Sequence, residues 1–189
     1  MKPEVRIVAW DDCAFRFGQK TVRLVGVVFR GSSVIDGMLS TRITKDGTDA
    51  TTKIAACIVR SRHYDQLSYI MLDGISFGGL NIADIGLLHR TTKLPVIAVQ
   101  RKMPNRRTFD EALHSFRDYP ARAAAVRSAG KIFRCLLGEK ELFYQKSGIG
   151  IAECEALLRL TCVRSAVPEP LRVAHLVASG MSGESRGGA

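Results

Sequence analysis

The sequence predicts a single α/β domain built on a mixed β-sheet, and three observations carry that reading. Two apolar, β-branched stretches on either side of a Gly-Ser-Ser turn, residues 21–29 (TVRLVGVVF) and 34–44, read as antiparallel strands. Over residues 67–99 an apolar strand, a helix and a second apolar strand follow in the order that gives parallel pairing with a right-handed crossover. Amphipathic helical segments fill the C-terminal third, so that antiparallel strands, a βαβ unit and helices describe one layered domain. The 189 residues suit one domain, 1–189, and 46% hydrophobic with 24% charged residues excludes wholesale disorder.

The elements follow in order. Asp46-Gly47 is a turn dipeptide, and Asp49 stands at the N-cap of a helix whose Ile54, Cys57 and Ile58 recur at helical spacing to about Arg62. Residues 67–72 (LSYIML) form a central strand that ends at Asp73-Gly74. Asn81 caps a helix carrying Ile82, Ile85 and Leu88 on one face, and residues 95–99 (PVIAV) form the next strand. Residues 108–116 and 122–127 are helical, 131–137 and 142–145 are strands, and 151–162 is an amphipathic helix. Pro168-Glu169-Pro170 opens the last helix, since proline suits the first helical turn. The Gly/Ser-rich end, from about residue 180, is a flexible tail.

Composition narrows the function classes. No stretch approaches ~18 uninterrupted apolar residues, so no membrane helix is expected. The N-terminus shows no apolar core of a secretion signal, so a cytoplasmic location is expected. The five cysteines, an odd number without Cys-x-x-Cys spacing, read as buried apolar thiols rather than a zinc cluster or disulfide framework. The net charge of +10 is concentrated: residues 90–134 hold eleven Lys/Arg against three Asp/Glu, densest at Arg101-Lys102 and Arg106-Arg107. Such a field attracts polyanions, and nucleic acid is the expected partner. Aromatic residues, at 7%, are too few for extensive stacking on single-stranded bases.

Asp73 is the leading chemical candidate. Ligand sites in open α/β sheets lie beyond the carboxyl ends of parallel strands, and a carboxylate there can hold Mg²⁺ or Mn²⁺ beside a phosphate. Asp46 and Asp49, flanking the first helix start, are the candidates for a second metal-binding carboxylate. Gly74-Ile75-Ser76-Phe77-Gly78 matches G-x-S-x-G, the serine-hydrolase elbow. Its downstream partners would be Glu169 and His175, which lie six residues apart on one helix and point to different sides. Arg172, three residues before His175, could contact a phosphate.

Residues 46–51 (DGTDAT), 71–84 (MLDGISFGGLNIAD) and 168–178 (PEPLRVAHLVA), with the GESRG ending, resemble an archaeal family catalogued as domain of unknown function ninety-nine. More distantly the chain is similar to endonuclease V, a ribonuclease H-like nuclease that cuts strands near deaminated bases using Mg²⁺. Asp73-Gly74 with residues 94–99 (LPVIAV), residues 168–174 (PEPLRVA) and residues 24–27 (LVGV) carry that likeness. The resemblance implies a ribonuclease H-like mixed sheet flanked by helices, with Asp73 central in a cleft at the sheet's C-terminal edge. It implies a metal-dependent nuclease acting on DNA or RNA with Asp73 and His175 lining the site; together with the carboxylates at the first helix start, the expected Mg²⁺ or Mn²⁺ ligands are Asp73, Asp49 and Asp46. His175 would be a ligand or base, and Arg101, Lys102, Arg106, Arg107 and Arg172 would track phosphates. In this match Val27, Val28 and Phe29 stand where endonuclease V has its first-strand acid, and a nucleic-acid-binding module without cleavage is the alternative. A serine hydrolase using Ser76 is the third reading.

Overall fold

The computed structural model describes residues 4–16 and 18–183. The chain begins with β1 (Arg6–Asp12), whose Ile7, Val8, Ala9 and Trp10 are wholly buried. The sequence patterns assign no strand here. The run 7–10 has no alternation and, unlike residues 95–99, no strand-helix-strand pattern frames it. β2 (Thr21–Arg30) lies antiparallel to β1, and β3 (Val34–Thr44) antiparallel to β2 at the sheet edge.

After α1 (Ala50–Val59), β4 (Tyr69–Asp73) pairs parallel to β1 on its other side. A short hairpin of β5 (Ser76–Phe77) and β6 (Asn81–Ile82) precedes α2 (Ile85–Thr92), and β7 (Val96–Gln100) then pairs parallel to β4. Asn81 therefore lies on a strand. The cap of α2 is Asp84, whose carboxylate accepts from the Leu87 amide at 2.8 Å. α3 (Arg106–Leu113) and α4 (Tyr119–Ser128) lead to the antiparallel pair β8 (Phe133–Leu137) and β9 (Lys140–Ser147). α5 (Ile151–Thr161) and α6 (Glu169–Gly180) complete the described chain.

The result is one seven-stranded mixed sheet, in the order β3-β2-β1-β4-β7-β9-β8, with apolar cores on both faces. Period-two alternation assigns the faces. Val8, Trp10, Ile70 and Leu72 point to the core shared with α1 and α2, while Ile7, Ala9, Tyr69 and Met71 point to the core shared with α5 and α6. Trp10 lies opposite Gly26, where a Cβ would come within 2.8 Å of the indole, so only glycine leaves room for that ring. All five cysteines are free, and Cys13, Cys135 and Cys154 are buried. No helix among the described residues is long and apolar enough to cross a membrane. Ser182 still bonds the Ala14 and Ala178 carbonyls; the rest of the expected tail, residues 184–189, lies outside the described residues.

Candidate active site

The parallel register of β1 and β4 creates the site. Trp10 pairs with Leu72, so the next residues, Asp11 and Asp73, are neighbours at the carboxyl ends of the two strands. Alternation sends both carboxylates to the α6 face, where helix packing against β1 delivers His175. One donor atom each from Asp11, Asp73 and His175 lies within 4.8 Å of the others. The His175 Nδ1 donates to Asp11 Oδ2 at 2.8 Å. That bond leaves Nε2 with the lone pair, the tautomer a metal ligand needs.

Electrostatics makes the trio costly without a counter-charge. Burial, and then the neighbouring Asp73 charge, push the Asp11 carboxyl up to about 6, against the pull of His175. Burial also raises Asp73, with Arg101 and His175 pulling it back down. Asp12 points to the opposite face and is raised by burial too; its Oδ2 accepts from the Gly78 amide at 2.6 Å and so pins the β5–β6 hairpin beside the site. A divalent cation suits this donor set of two carboxylates and an imidazole. The nitrogen donor fits Mn²⁺ better than Mg²⁺, which prefers oxygen.

Of the three, Asp73 alone also lines a cleft of about 890 Å³. Ile75, Phe109, Leu113 and Val126 supply apolar wall, and Arg106 and Arg107 supply positive charge. Arg107 pairs with Glu111 at 2.9 Å, and Lys102 is exposed. Arg172 is engaged on its own helix with Glu169 at 2.8 Å.

The first helix start does not contribute as expected. Neither Asp46 nor Asp49 belongs to a cation-sized cluster of ligating side chains among the described residues. Asp49 accepts from the Thr44 amide at 3.0 Å, the Thr44 hydroxyl at 3.1 Å and Asn81 Nδ2 at 2.7 Å, tying α1 to β3 and β6. Asp46, at φ 52°, accepts from the Leu80 amide at 2.9 Å, and its carbonyl accepts from Arg122 at 2.6 Å. Both carboxylates have full hydrogen-bonding reasons to be where they are. Asp49→Ala is thus expected to cost about 1–3 kcal/mol in urea unfolding and leave Mn²⁺ affinity unchanged. Weakened Mn²⁺ binding at unchanged stability would instead place Asp49 at the cation site.

Asp11 is the residue that sequence reasoning missed. The available signal was Ile7-Val8-Ala9-Trp10 running straight into Asp11-Asp12, a buried strand ending in acid. The first strand is β1 rather than the stretch around Gly26, and it ends in acid, Asp11-Asp12, where Val27, Val28 and Phe29 offer none. Ser76 lies on a two-residue hairpin strand rather than at a strand-to-helix turn, and its hydroxyl donates to the Gly79 carbonyl.

The family model described as endonuclease dU matches residues 3–182. A UPF0215 protein of Methanosarcina barkeri is 48% identical over 99% of this chain and 96% of its own length. A UPF0215 protein of Methanothermobacter thermautotrophicus is 44% identical over 100% of this chain and 94% of its own. Among solved structures, a protein of unknown function from Archaeoglobus fulgidus superposes with a TM-score of 0.86 at 36% identity, covering 94% of this chain and 98% of its own. Endonuclease V of Ciona intestinalis, in complex with DNA containing an inosine followed by a ribo-adenosine, reaches a TM-score of 0.58 at 12% identity, covering 92% of this chain and 84% of its own. That last likeness speaks for the fold alone: a mixed sheet flanked by helices, similar to endonuclease V.

Proposed function

This chain belongs to the endonuclease dU family, and we propose on that premise that it is a divalent-cation-dependent nuclease acting on DNA. The observation that carries the reading is the convergence of Asp11, Asp73 and His175 at the end of two parallel strands, beside a basic cleft. Asp11 and Asp73 supply negative oxygens, and the Asp11 hydrogen bond holds the His175 ring in its ligating tautomer. A cation bound there would lower the pKa of an attacking water and stabilise the leaving oxygen. Arg101 lies close enough to Asp73 to act on it electrostatically, and positive charge so placed can hold a phosphate against the carboxylates. Mn²⁺ is the preferred cation, with Mg²⁺ the alternative to compare.

The family description directs the first substrate to DNA containing deoxyuridine, and the endonuclease V complex makes inosine-containing DNA the second. Labelled strands of both kinds, with unmodified DNA and RNA as controls, are to be incubated with protein and Mn²⁺. Cleavage that EDTA stops is the expected result; absence of cleavage across substrates and cations would overturn the reading. Asp11, an acid at the end of β1 beside Asp73, supports cleavage over a binding module without it.

A further inference from the structure

A second cationic feature flanks the carboxylates on the side away from the basic segment 101–107. Arg23 on β2 and Arg42 on β3 are direct cross-strand partners. Directly opposite residues in an antiparallel pair share a face, with Cβ atoms about 5 Å apart. Val22 and Leu24 turn to the core of α1 and α2, so Arg23 turns to the other face, that of Asp11, Cys13 and α6. The Cys13 amide donates to the Arg23 carbonyl at 2.9 Å, two residues beyond Asp11. Both guanidinium groups act on the Cys13 thiol, lowering it against the larger upward push of burial.

Arginines elsewhere in the fold find carboxylates: Arg6 with Asp36, Arg122 with Asp118, Arg172 with Glu169. Among the described residues no hydrogen bond or ion pair of their side chains reaches a partner for Arg23 or Arg42. Arg42 is exposed and Arg23 half-buried. Two like charges directly opposite on a sheet are destabilising, so the fold itself gains nothing from this pair. The strand order completes the geometry. β3 and β2 lie on one side of the β1–β4 centre, and β7, which leads into Arg101, lies on the other.

The geometry points to Arg23 and Arg42 as a phosphate-binding pair that holds the nucleic-acid backbone on the β2–β3 flank of the Asp11–Asp73–His175 cluster. This rests on the nuclease reading and extends it. The bound strand crosses the carboxyl end of the sheet, held by cations on both sides, with the acidic cluster between them. β3 stands about 10 Å from β1, two strand spacings, so the pair contacts backbone adjoining the position above the cluster.

The test is binding of a labelled oligonucleotide in EDTA over a salt series, which separates binding from cleavage. The double variant Arg23→Ser/Arg42→Ser is expected to bind about tenfold or more weakly and to lose about 1.5 from the log–log salt slope, because two phosphate contacts vanish. Arg23→Lys/Arg42→Lys should keep most of the slope, and Arg62→Ser, at the opposite end of β1, should keep all of it. A double serine variant with the wild-type slope overturns the inference and leaves the nuclease reading standing. A wild-type protein without salt-dependent binding overturns both. Mn²⁺ titration of the same variants, expected to match wild type, shows that the acidic cluster remains assembled.

Discussion

Asp73→Asn is expected to reduce Mn²⁺-dependent cleavage on the order of 10³-fold while leaving the fold as stable as wild type. The size follows from the role. Charge stabilisation by a bound metal ion is worth several kcal/mol in the transition state, and each 1.36 kcal/mol is a factor of ten in rate. Asp73 is one of only two carboxylates in the cation-sized cluster among the described residues, so its loss halves the oxygen donors there. Stability should behave differently. Burial raises the Asp73 carboxyl, which means that its charge costs the folded state more than the unfolded one. A neutral amide of the same shape relieves that cost. Thermal unfolding with and without Mn²⁺ checks both halves: the wild-type midpoint should rise with Mn²⁺ and that of the variant should not. Cleavage retained within tenfold, or a large fall in midpoint without metal, would show that Asp73 is a structural residue.

Asp11→Asn should stabilise the metal-free protein at neutral pH and do nothing for it in acid. The Asp11 carboxyl titrates near 3.8 when unfolded and near 6 in the fold, raised first by burial and then by Asp73. The folded state therefore holds the proton more tightly. The stability linked to this group is fully present below pH 3.8 and is lost as pH rises through 6. Above pH 7 the ionised carboxylate is a net cost of about 3 kcal/mol, since each pKa unit is worth 1.36 kcal/mol and the shift already includes the attraction of His175. Asparagine can still accept the His175 Nδ1 proton. The variant should melt about 6–12 °C above wild type at pH 7.5 and within a degree or two of it at pH 4. Saturating Mn²⁺ should reverse the order at pH 7.5, since only the wild type keeps the donor set. A variant less stable than wild type at pH 7.5 would mean that the ionised Asp11–His175 pair holds the fold together.

Much of the architecture was legible because it rests on local patterns. The long β-branched run of β2, the helical spacing of Ile54 and Ile58, and the apolar strand of β7 each announce themselves within a few residues. Asp73 was legible for the same reason: an acid directly after a buried strand and before a glycine marks the carboxyl edge of the sheet. The start of α2 was not, because Asn81 and Asp84 are both good caps three residues apart. The choice between them lies in a distant contact, the Asn81 side chain bonding the Ala50 amide and Asp49 across the fold. Asp49 shows the same limit. It sits at the α1 cap position, but its carboxylate turns back to Thr44 and Asn81 rather than towards Asp73.

Composition and short-range periodicity suffice for an α/β domain with a mixed sheet, a strongly basic charge and an acid at the tip of a central strand. Which groups stand beside that acid follows from long-range packing. Asp11 comes from a strand that no strand-helix-strand pattern frames, 62 positions before Asp73 in the chain, and His175 from a helix 102 positions after it. Parallel pairing of β1 with β4 and the packing of α6 on β1 bring them together. Such proximity depends on strand register and helix placement, which are properties of the assembled core rather than of any one segment.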